Sequence, residues 1–138
     1  MDKTLLYPLF AQVILTFLLA ILTLKARIRA VRNKQVSPAY FKHNQGKAPE
    51  QMLRYADSYQ SQFELPVLFY ALIGLLLISQ ISHIGFIIGA WLFVLSRLVH
   101  STIHIKTNRV LHRMKAFATG FYILLAMWIG FIWLTISV

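Results

Sequence analysis

Four long apolar blocks constrain the fold of this chain more than any other feature of its sequence. They cover residues 5–24, 63–82, 84–104 and 116–138, and each is close to the roughly 20 residues that an α-helix needs to cross a bilayer. With 58% hydrophobic residues, the chain is also more apolar than a soluble domain, for which about half is usual. The blocks predict an all-α membrane protein, a four-helix transmembrane bundle that forms a single domain over residues 1–138.

The positive charge of the chain is concentrated in two of its three connections. The net charge is +10, and of the 14 Lys and Arg residues eight lie within 25–54 and four within 106–115. Short loops rich in Lys and Arg stay in the cytoplasm, so the first and third loops are predicted to be cytoplasmic, with both termini on the opposite side. A basic chain also raises nucleic acid as a partner. This distribution instead indicates membrane topology and contact with anionic membrane lipids, and no nucleic acid partner is expected.

The first apolar block is predicted to be a retained helix rather than a cleaved signal peptide. It is long for the apolar region of a signal peptide, and a run of basic residues that begins at Lys25 follows it directly. Residues 36–49 then contain two prolines and one glycine, which predicts the one true loop. The second span is expected to begin in water near Glu50, and Pro66 inside it is expected to bend or loosen the helix.

Polar side chains recur at helical spacing in three places: before and at the start of the second apolar block, within the third block, and after it. Steps of three and four residues place side chains on one face of a helix. A lone charge at mid-span costs about 2.5–3.5 kcal/mol, so such faces are predicted to line the interior of the bundle or a watery cavity. The residues in this pattern are Arg54, Asp57, Ser61 and Glu64, then Arg97, His100 and His104, and then Arg109 and Arg113.

Glu64 and Arg97 are predicted to meet inside the bundle, because pairing lowers the cost of both charges. Both positions lie in the half of the membrane nearer to the first and third loops. One interpretation of this pair is a purely structural ion pair. The other is a site for an anionic polar ligand, because the two faces supply more polar groups than one ion pair needs.

Other kinds of site have weaker support in the sequence. His100 and His104 could clasp a metal ion from one helical face, but membrane di-iron oxygenases need many more than the five histidines here, and no metal site is predicted. Ser61 and Ser101 lie in no nucleophile motif. The chain has no cysteine, so a thiol nucleophile and a zinc–thiolate site are excluded.

The pattern of polar residues resembles that of the MAPEG family, the membrane-associated proteins in eicosanoid and glutathione metabolism. The resemblance covers the whole chain in length and in four-span topology. In sequence it rests on the Arg-rich end of the first span, on SQFELP at 61–66 and on RLVHSTIHIKTNRVLHR at 97–113. The family includes microsomal glutathione transferases, leukotriene and prostaglandin E synthases, and many bacterial proteins.

The resemblance implies a homotrimer that binds glutathione between adjacent subunits near the cytoplasmic face. Arg113 takes the place of the arginine that stabilises the glutathione thiolate, and Arg109 is a nearby alternative. A guanidinium suits this role because it stays charged at any working pH and favours the thiolate. Glu64 would bind the amino group of glutathione, and Arg97 would pair with Glu64 or with a glutathione carboxylate. The other binding residues implied are Arg54, Ser61, His100 and His104.

Two hypotheses for the function follow from the residues and the resemblance. The first is a glutathione-dependent transferase or peroxidase of the bacterial inner membrane, which acts on lipophilic electrophiles that enter from the lipid. The second is a non-catalytic protein with the MAPEG fold that binds a lipid or another anionic ligand. It is motivated by Asp57 in place of an arginine of the eicosanoid enzymes, Ser61 in place of the family asparagine, and His104 and Phe117 in place of tyrosines.

Overall fold

The computed structural model describes residues 3–138 as helices joined by short connections, with no β-strand among these residues. Two 3-10 turns lie between helices, at Pro38–Lys42 and Ser61–Phe63. The α-helices are α1 (Leu6–Arg32), α2 (Glu50–Gln60), α3 (Leu65–Ile78), α4 (Ile84–Lys106) and α5 (Val110–Ile136).

Four stretches of the described chain are long and apolar enough to cross a membrane, as the sequence predicts. α1, α4 and α5 each form one, and the fourth is Glu50–Ile78, which joins α2 and α3. The chain is therefore an integral, multi-pass membrane protein. α5 begins at Val110, six residues before the predicted start of the fourth apolar block, because residues 110–115 contain no proline or glycine to stop a helix.

The second span is broken at Glu64, two residues before Pro66. Glu64 has φ −97° and ψ −105°, outside the helical region, and Pro66 occupies the first turn of α3. Proline has no backbone N–H, so it is tolerated at the start of a helix and not in its interior. The predicted loosening of this span is therefore confirmed, and it takes the form of the Ser61–Phe63 turn between two separate helices.

Three helices are followed by a residue with left-handed backbone conformation, α1, α3 and α4, and the ends of α1 and α4 shape nearby cavities. After α1, Lys34 has φ +57° and the Gln35 N–H donates to the Ala30 carbonyl at 2.9 Å. After α4, Asn108 has φ +47° and its N–H donates to the Ile103 carbonyl at 2.6 Å. Such bonds satisfy carbonyls that the last helical turn leaves unpaired.

The apolar core lies in the half of the bundle nearer to the connection between α3 and α4. Phe69 of α3 is fully buried and stacks on Phe93 of α4, with ring centroids 4.7 Å apart. We call this region the apolar half. Its other buried members are Leu5, Leu72, Ile73, Leu76, Phe86, Ala90, Val94, Leu124, Met127 and Phe131.

Candidate functional site

A chain of hydrogen bonds between buried polar side chains crosses the bundle at the Ser61–Phe63 turn. Gln12 of α1 donates from Nε2 to Gln62 Oε1 at 2.9 Å. Gln62 Nε2 lies 3.2 Å from both Ser61 Oγ and Ser101 Oγ. Arg97 Nη2 donates to Ser61 Oγ at 2.9 Å and to the Ser61 carbonyl at 3.0 Å. We call these five residues the polar network, and it joins α1, the turn and α4.

The described residues 3–138 hold no direct ion pair between Glu64 and Arg97, although the Glu64 carboxylate is near enough to act on the Arg97 charge. The ion pair that the described residues 3–138 do form joins Arg54 Nη2 to Glu50 Oε1 at 2.6 Å. Glu64 sits at the helix break with its side chain exposed, whereas Arg97 is only 1% exposed. The broken backbone offers the Ser61 carbonyl to the guanidinium instead, so Arg97 is held by a neutral acceptor.

Arg97 also keeps donors that the bundle does not use. Its Nε and Nη1 atoms are buried, and neither has a hydrogen-bond partner among residues 3–138. A buried donor without a partner costs about 1–3 kcal/mol, and more when the group is charged. Arg97 can therefore take a further acceptor next to Ser61 at little additional desolvation cost.

A cleft of about 390 Å³ brings together residues of the Ser61–Phe63 turn with residues of α2, α4 and α5. This volume lies in the range of roughly 300–1,000 Å³ that holds whole small molecules in proteins. The cleft carries two carboxylates and one guanidinium. Its lining residues are Asp57, Gln60, Ser61, Glu64, His100, His104, Arg113 and Phe117.

The histidines of α4 form one wall of the cleft and are buried. Their rings stack with centroids 5.9 Å apart, and the His100 ring lies 6.1 Å from that of Phe117. His100 Nδ1 is 3.2 Å from the carbonyl oxygen of Arg113. Because a carbonyl can only accept, Nδ1 carries the proton and donates, and this bond ties α4 to the first turn of α5.

Arg113 is oriented by the connection between α4 and α5. Its Nη1 donates to Asn108 Oδ1 at 2.8 Å. Asn108 can present this oxygen because its left-handed backbone turns the chain sharply between the two helices. The guanidinium of Arg113 is therefore held at the cleft by a neutral amide, and it forms no ion pair among residues 3–138.

The structure brings together five of the predicted site residues and leaves three outside the lining of the cleft. Ser61, Glu64, His100, His104 and Arg113 line it. Arg97 lies behind its wall, bonded to Ser61. Arg54 points elsewhere, toward Glu50 and the Lys106 carbonyl, and Arg109 is an exposed residue that precedes α5.

An apolar groove begins one helical turn from the polar cleft. It lies between α3 and α5 and has a volume of about 380 Å³. Leu65 follows Glu64 directly, and Phe121 lies four residues after Phe117, so the cleft and the groove are neighbours along both elements. The groove is lined by Leu65, Leu68, Phe121, Leu124, Leu125 and Trp128.

Comparison with known proteins decides the family. The model of the MAPEG family matches residues 5–133 of the 138-residue chain. This chain belongs to the MAPEG family. No curated protein and no solved structure matches it significantly.

The cleft of this MAPEG protein does not resemble a metal site. Among residues 3–138, no three His, Cys, Asp or Glu side chains are grouped so that they could hold a metal ion. His100 and His104 stack with nearly parallel rings, 13° apart, and do not converge on one point.

Several residues that build the site are absent from the sequence-based prediction. Gln12 and Gln62 are fully buried polar side chains in apolar surroundings, and an amide within an uninterrupted apolar block was the available signal for Gln12. Asn108 had a weaker signal, since Asn is the residue after Gly that best tolerates the left-handed conformation at a helix end.

Proposed function

We propose that this MAPEG protein is a membrane-bound, glutathione-dependent transferase or peroxidase that acts on lipophilic electrophiles. The observation that carries the proposal is the position of Arg113. Its guanidinium is held by Asn108, shares a cleft with two carboxylates, and lies near an apolar groove. Family membership supports the same class, since MAPEG proteins include glutathione transferases and peroxidases.

The charges of the cleft suit the two ends of glutathione. Glu64 and Asp57 can bind the ammonium group of the γ-glutamyl end, and both are exposed side chains at the cleft. The Ser61 hydroxyl already donates to the Ser58 carbonyl at 2.7 Å, so a ligand carboxylate would be bound by the free buried donors of Arg97 behind it. Asp57 replaces an arginine of the eicosanoid enzymes, so we propose that recognition here depends more on the ammonium group and less on the carboxylates.

Arg113 is proposed to stabilise the glutathione thiolate. A fixed positive charge lowers the pKa of a nearby thiol, and the thiolate is the nucleophilic form. In a transfer reaction, the sulfur forms a bond to the electrophilic carbon and the leaving group departs with its bonding pair. With a hydroperoxide, the sulfur takes the terminal oxygen as the O–O bond breaks, and the alkoxide that leaves is protonated to the alcohol. A second glutathione thiol then attacks the sulfur of the resulting sulfenic acid, which gives the disulfide and water.

The apolar groove is proposed to bind the lipophilic substrate. Its lining is hydrophobic and aromatic, and it lies within the membrane-spanning part of α3 and α5. A substrate dissolved in the bilayer could enter there and present its reactive atom to the cleft one turn away. Glutathione would reach the cleft from water and the lipophilic substrate from the bilayer, so neither reactant would have to cross a medium in which it dissolves poorly.

The assembly and the orientation are also part of the proposal. We propose a homotrimer of single-domain chains over residues 1–138, with each cleft completed by a neighbouring subunit. The basic first and third loops would face the cytoplasm, so the cleft would open on that side, and the membrane would be the bacterial inner membrane.

Replacement of Arg113 by alanine tests the catalytic proposal. Arg113→Ala should reduce glutathione conjugation of a model electrophile by about 10²–10³-fold, the loss typical when one electrostatic stabiliser is removed. The protein would be reconstituted in nanodiscs and assayed for kcat/KM. Lys115→Ala is the matched control, because Lys115 is an exposed basic residue of the same helix outside the cleft. Equal turnover in both variants would remove Arg113 from the mechanism.

Binding and assembly are measured on the same samples. Isothermal titration should detect glutathione binding at millimolar concentration in the wild type and in Lys115→Ala. Light scattering should give the mass of three chains for the wild type and for Arg113→Ala, so that a lost activity is not a lost trimer. Absence of glutathione binding in the wild type would refute the proposed function itself.

A further inference from the structure

A second polar cavity lies between α1 and α2, at the end of the bundle that carries the first and third loops. Its volume is about 100 Å³, well below the roughly 300–1,000 Å³ of pockets that hold whole small molecules. It shares no lining residue with the cleft. The side chains that can donate hydrogen bonds into it are Lys25, Arg29, Gln35, Gln51 and Tyr55.

The two cations of this cavity share one face of α1. Lys25 and Arg29 are four residues apart, which places them one turn apart on the same side of the helix. Arg27 lies between them in sequence and turns away, with its guanidinium 5.5 Å from the centre of the Phe41 ring. Lys25 and Arg29 both line the cavity and are also open to the surface, so their charges can reach an anion that enters from the membrane interface.

The backbone around the cavity is fixed. Thr23 Oγ1 donates to the Tyr55 carbonyl at 3.0 Å, which joins α1 to α2 next to the cavity. Above it, the bond from the Gln35 N–H to the Ala30 carbonyl folds the chain back over the end of α1. Ala30 and Met52 are buried against each other's helices beneath these contacts. The cavity is therefore a formed feature and not a gap between mobile loops.

The cavity carries positive charge that no carboxylate compensates. None of its lining residues is acidic. The nearest acid in sequence, Glu50, is bonded to Arg54, with Oε1 accepting from Nη2 at 2.6 Å. A small cavity with two cations, two amides and a phenol has the donors that a phosphate group requires and offers it no competing anion.

The depth of the cavity matches the boundary between hydrocarbon and headgroups. α1 carries no charged residue from Leu6 to Leu24, and Lys25 is the first. Leu22 lines the cavity from the hydrocarbon side. Leu18 and Ile14 continue from it at four-residue steps, and all three side chains are exposed on the surface of α1. An apolar stripe thus leads from the hydrocarbon directly to the two cations.

We propose that this cavity binds the phosphate of an anionic phospholipid whose acyl chain lies along Ile14, Leu18 and Leu22. Positive charge at loops is common in membrane proteins because it sets topology. Topology alone does not require two cations to share a rigid cavity at the end of an apolar stripe. The shape and the charge together select a headgroup phosphate with a chain attached over a free phosphate ion, which would gain nothing from the stripe.

The experiment compares two pairs of charge changes in the full chain. The protein is freed of lipid in detergent and titrated with phosphatidylglycerol, and bound lipid is counted by native mass spectrometry. Replacement of Lys25 and Arg29 by glutamine should weaken binding about 10- to 30-fold, because each basic residue near a membrane surface contributes about 1 kcal/mol. The control pair, Lys42→Gln with Lys47→Gln, removes the same charge from exposed loop positions and should change binding less than about threefold.

Two further measurements identify the ligand, and a single variant replaces the double variant if the latter does not fold. Phosphatidylcholine, which carries a phosphate but no net charge, should bind at least about tenfold more weakly than phosphatidylglycerol. Inorganic phosphate at millimolar concentration should not displace bound phosphatidylglycerol. If the double variant is not recovered folded, Arg29→Gln alone should weaken binding about fivefold.

Three results would overturn this proposal. Equal losses of lipid affinity in the two pairs of variants would show that binding depends on diffuse charge attraction and not on the cavity. Displacement by inorganic phosphate would make it a free-anion site, and equal binding of the two lipids would exclude charge recognition. None of these results bears on the proposed catalytic function, because glutathione conjugation is measured at the cleft on Arg113→Ala and Lys115→Ala.

Discussion

The apolar half and the polar network of this protein hold the bundle together by different means. In the apolar half, α3, α4 and α5 are joined by interlocking side chains such as Phe69 on Phe93. In the polar network, α1, the Ser61–Phe63 turn and α4 are joined by hydrogen bonds between buried amides, hydroxyls and a guanidinium. Lipid tails are as apolar as leucine, so burial of apolar surface gives little driving force between helices in a membrane. The apolar half therefore depends on close packing, and the polar network on bond geometry.

Because of this difference, we expect stability and ligand binding to depend on different regions of the protein. Close packing is sensitive to lost volume and has no direct part in the cleft. The polar network includes Ser61, which lines the cleft, and Arg97 behind it. Changes in the apolar half should thus lower the free energy of unfolding without altering ligand binding. Changes at the cleft end should alter ligand binding with a smaller effect on the free energy of unfolding.

The largest effect on stability is expected from Phe69→Ala. It should lower the free energy of unfolding by about 2–4 kcal/mol, below the full cost in a water-soluble core because only the packing part of that cost applies in lipid. Unfolding by dodecyl sulfate in mixed micelles measures it. Phe17→Ala is the control, since Phe17 is 66% exposed on α1 and fills no core. A changed glutathione affinity in Phe69→Ala would show that the two regions are coupled.

An intermediate effect is expected from Gln12→Leu, which cuts the polar network at α1. Gln62 Oε1 loses its donor, and we expect the free energy of unfolding to fall by about 1 kcal/mol. This value lies between the average energy of an interhelical hydrogen bond in a membrane and the cost of a buried unpaired group in a water-soluble protein. Glutathione affinity should fall about threefold or more through the displaced Ser61 and Arg97. In the control Thr16→Val, the lost hydroxyl bonds mainly to its own helix, at 3.1 Å from the Gln12 carbonyl. Similar affinities in the two variants would contradict this prediction.

The smallest effect on stability, with a clear effect on activity, is expected from Asn108→Gly. Glycine adopts the left-handed conformation of this position without strain, so the free energy of unfolding should change by no more than about 0.5 kcal/mol. The hydrogen bond from Arg113 is lost, and kcat/KM should fall about 3- to 10-fold, with KM for glutathione changed less than kcat. Steady-state kinetics in nanodiscs give both constants. A fall in stability without a fall in kcat would make Asn108 a purely structural residue.

The sequence predicts the spans of this protein well, because membrane-spanning helices depend on a property summed over about 20 residues. The break before Pro66 is equally predictable, since a missing N–H acts locally. Helical spacing also placed His100 and His104 on one face of the third span, and both line the cleft. These features follow from one element at a time, and a single sequence contains enough information to place them.

Partner choice within the site was less predictable. Glu64 and Arg97 are at suitable depths, but their pairing depends on how the backbone turns at the break, and no periodic pattern encodes that turn. Gln62 lies one residue away from the predicted polar face, and it is buried within the 3-10 turn that replaces the regular helix there. The role of Asn108 depends on the distance between two helix ends. Each of these depends on tertiary geometry rather than on spacing.

The Ser61 carbonyl has an electrostatic consequence that reaches beyond its two hydrogen bonds. In a continuous helix it would accept from Leu65, four residues later. Here it accepts from the Glu64 N–H at 3.4 Å and from Arg97 Nη2 at 3.0 Å. A carbonyl dipole orients a guanidinium but does not cancel its charge, and in a medium of low dielectric constant that charge also acts on Glu64 at the cleft. The cleft thus combines two carboxylates on its lining with a buried positive charge behind Ser61, an arrangement that suits a ligand carrying both an ammonium group and a carboxylate.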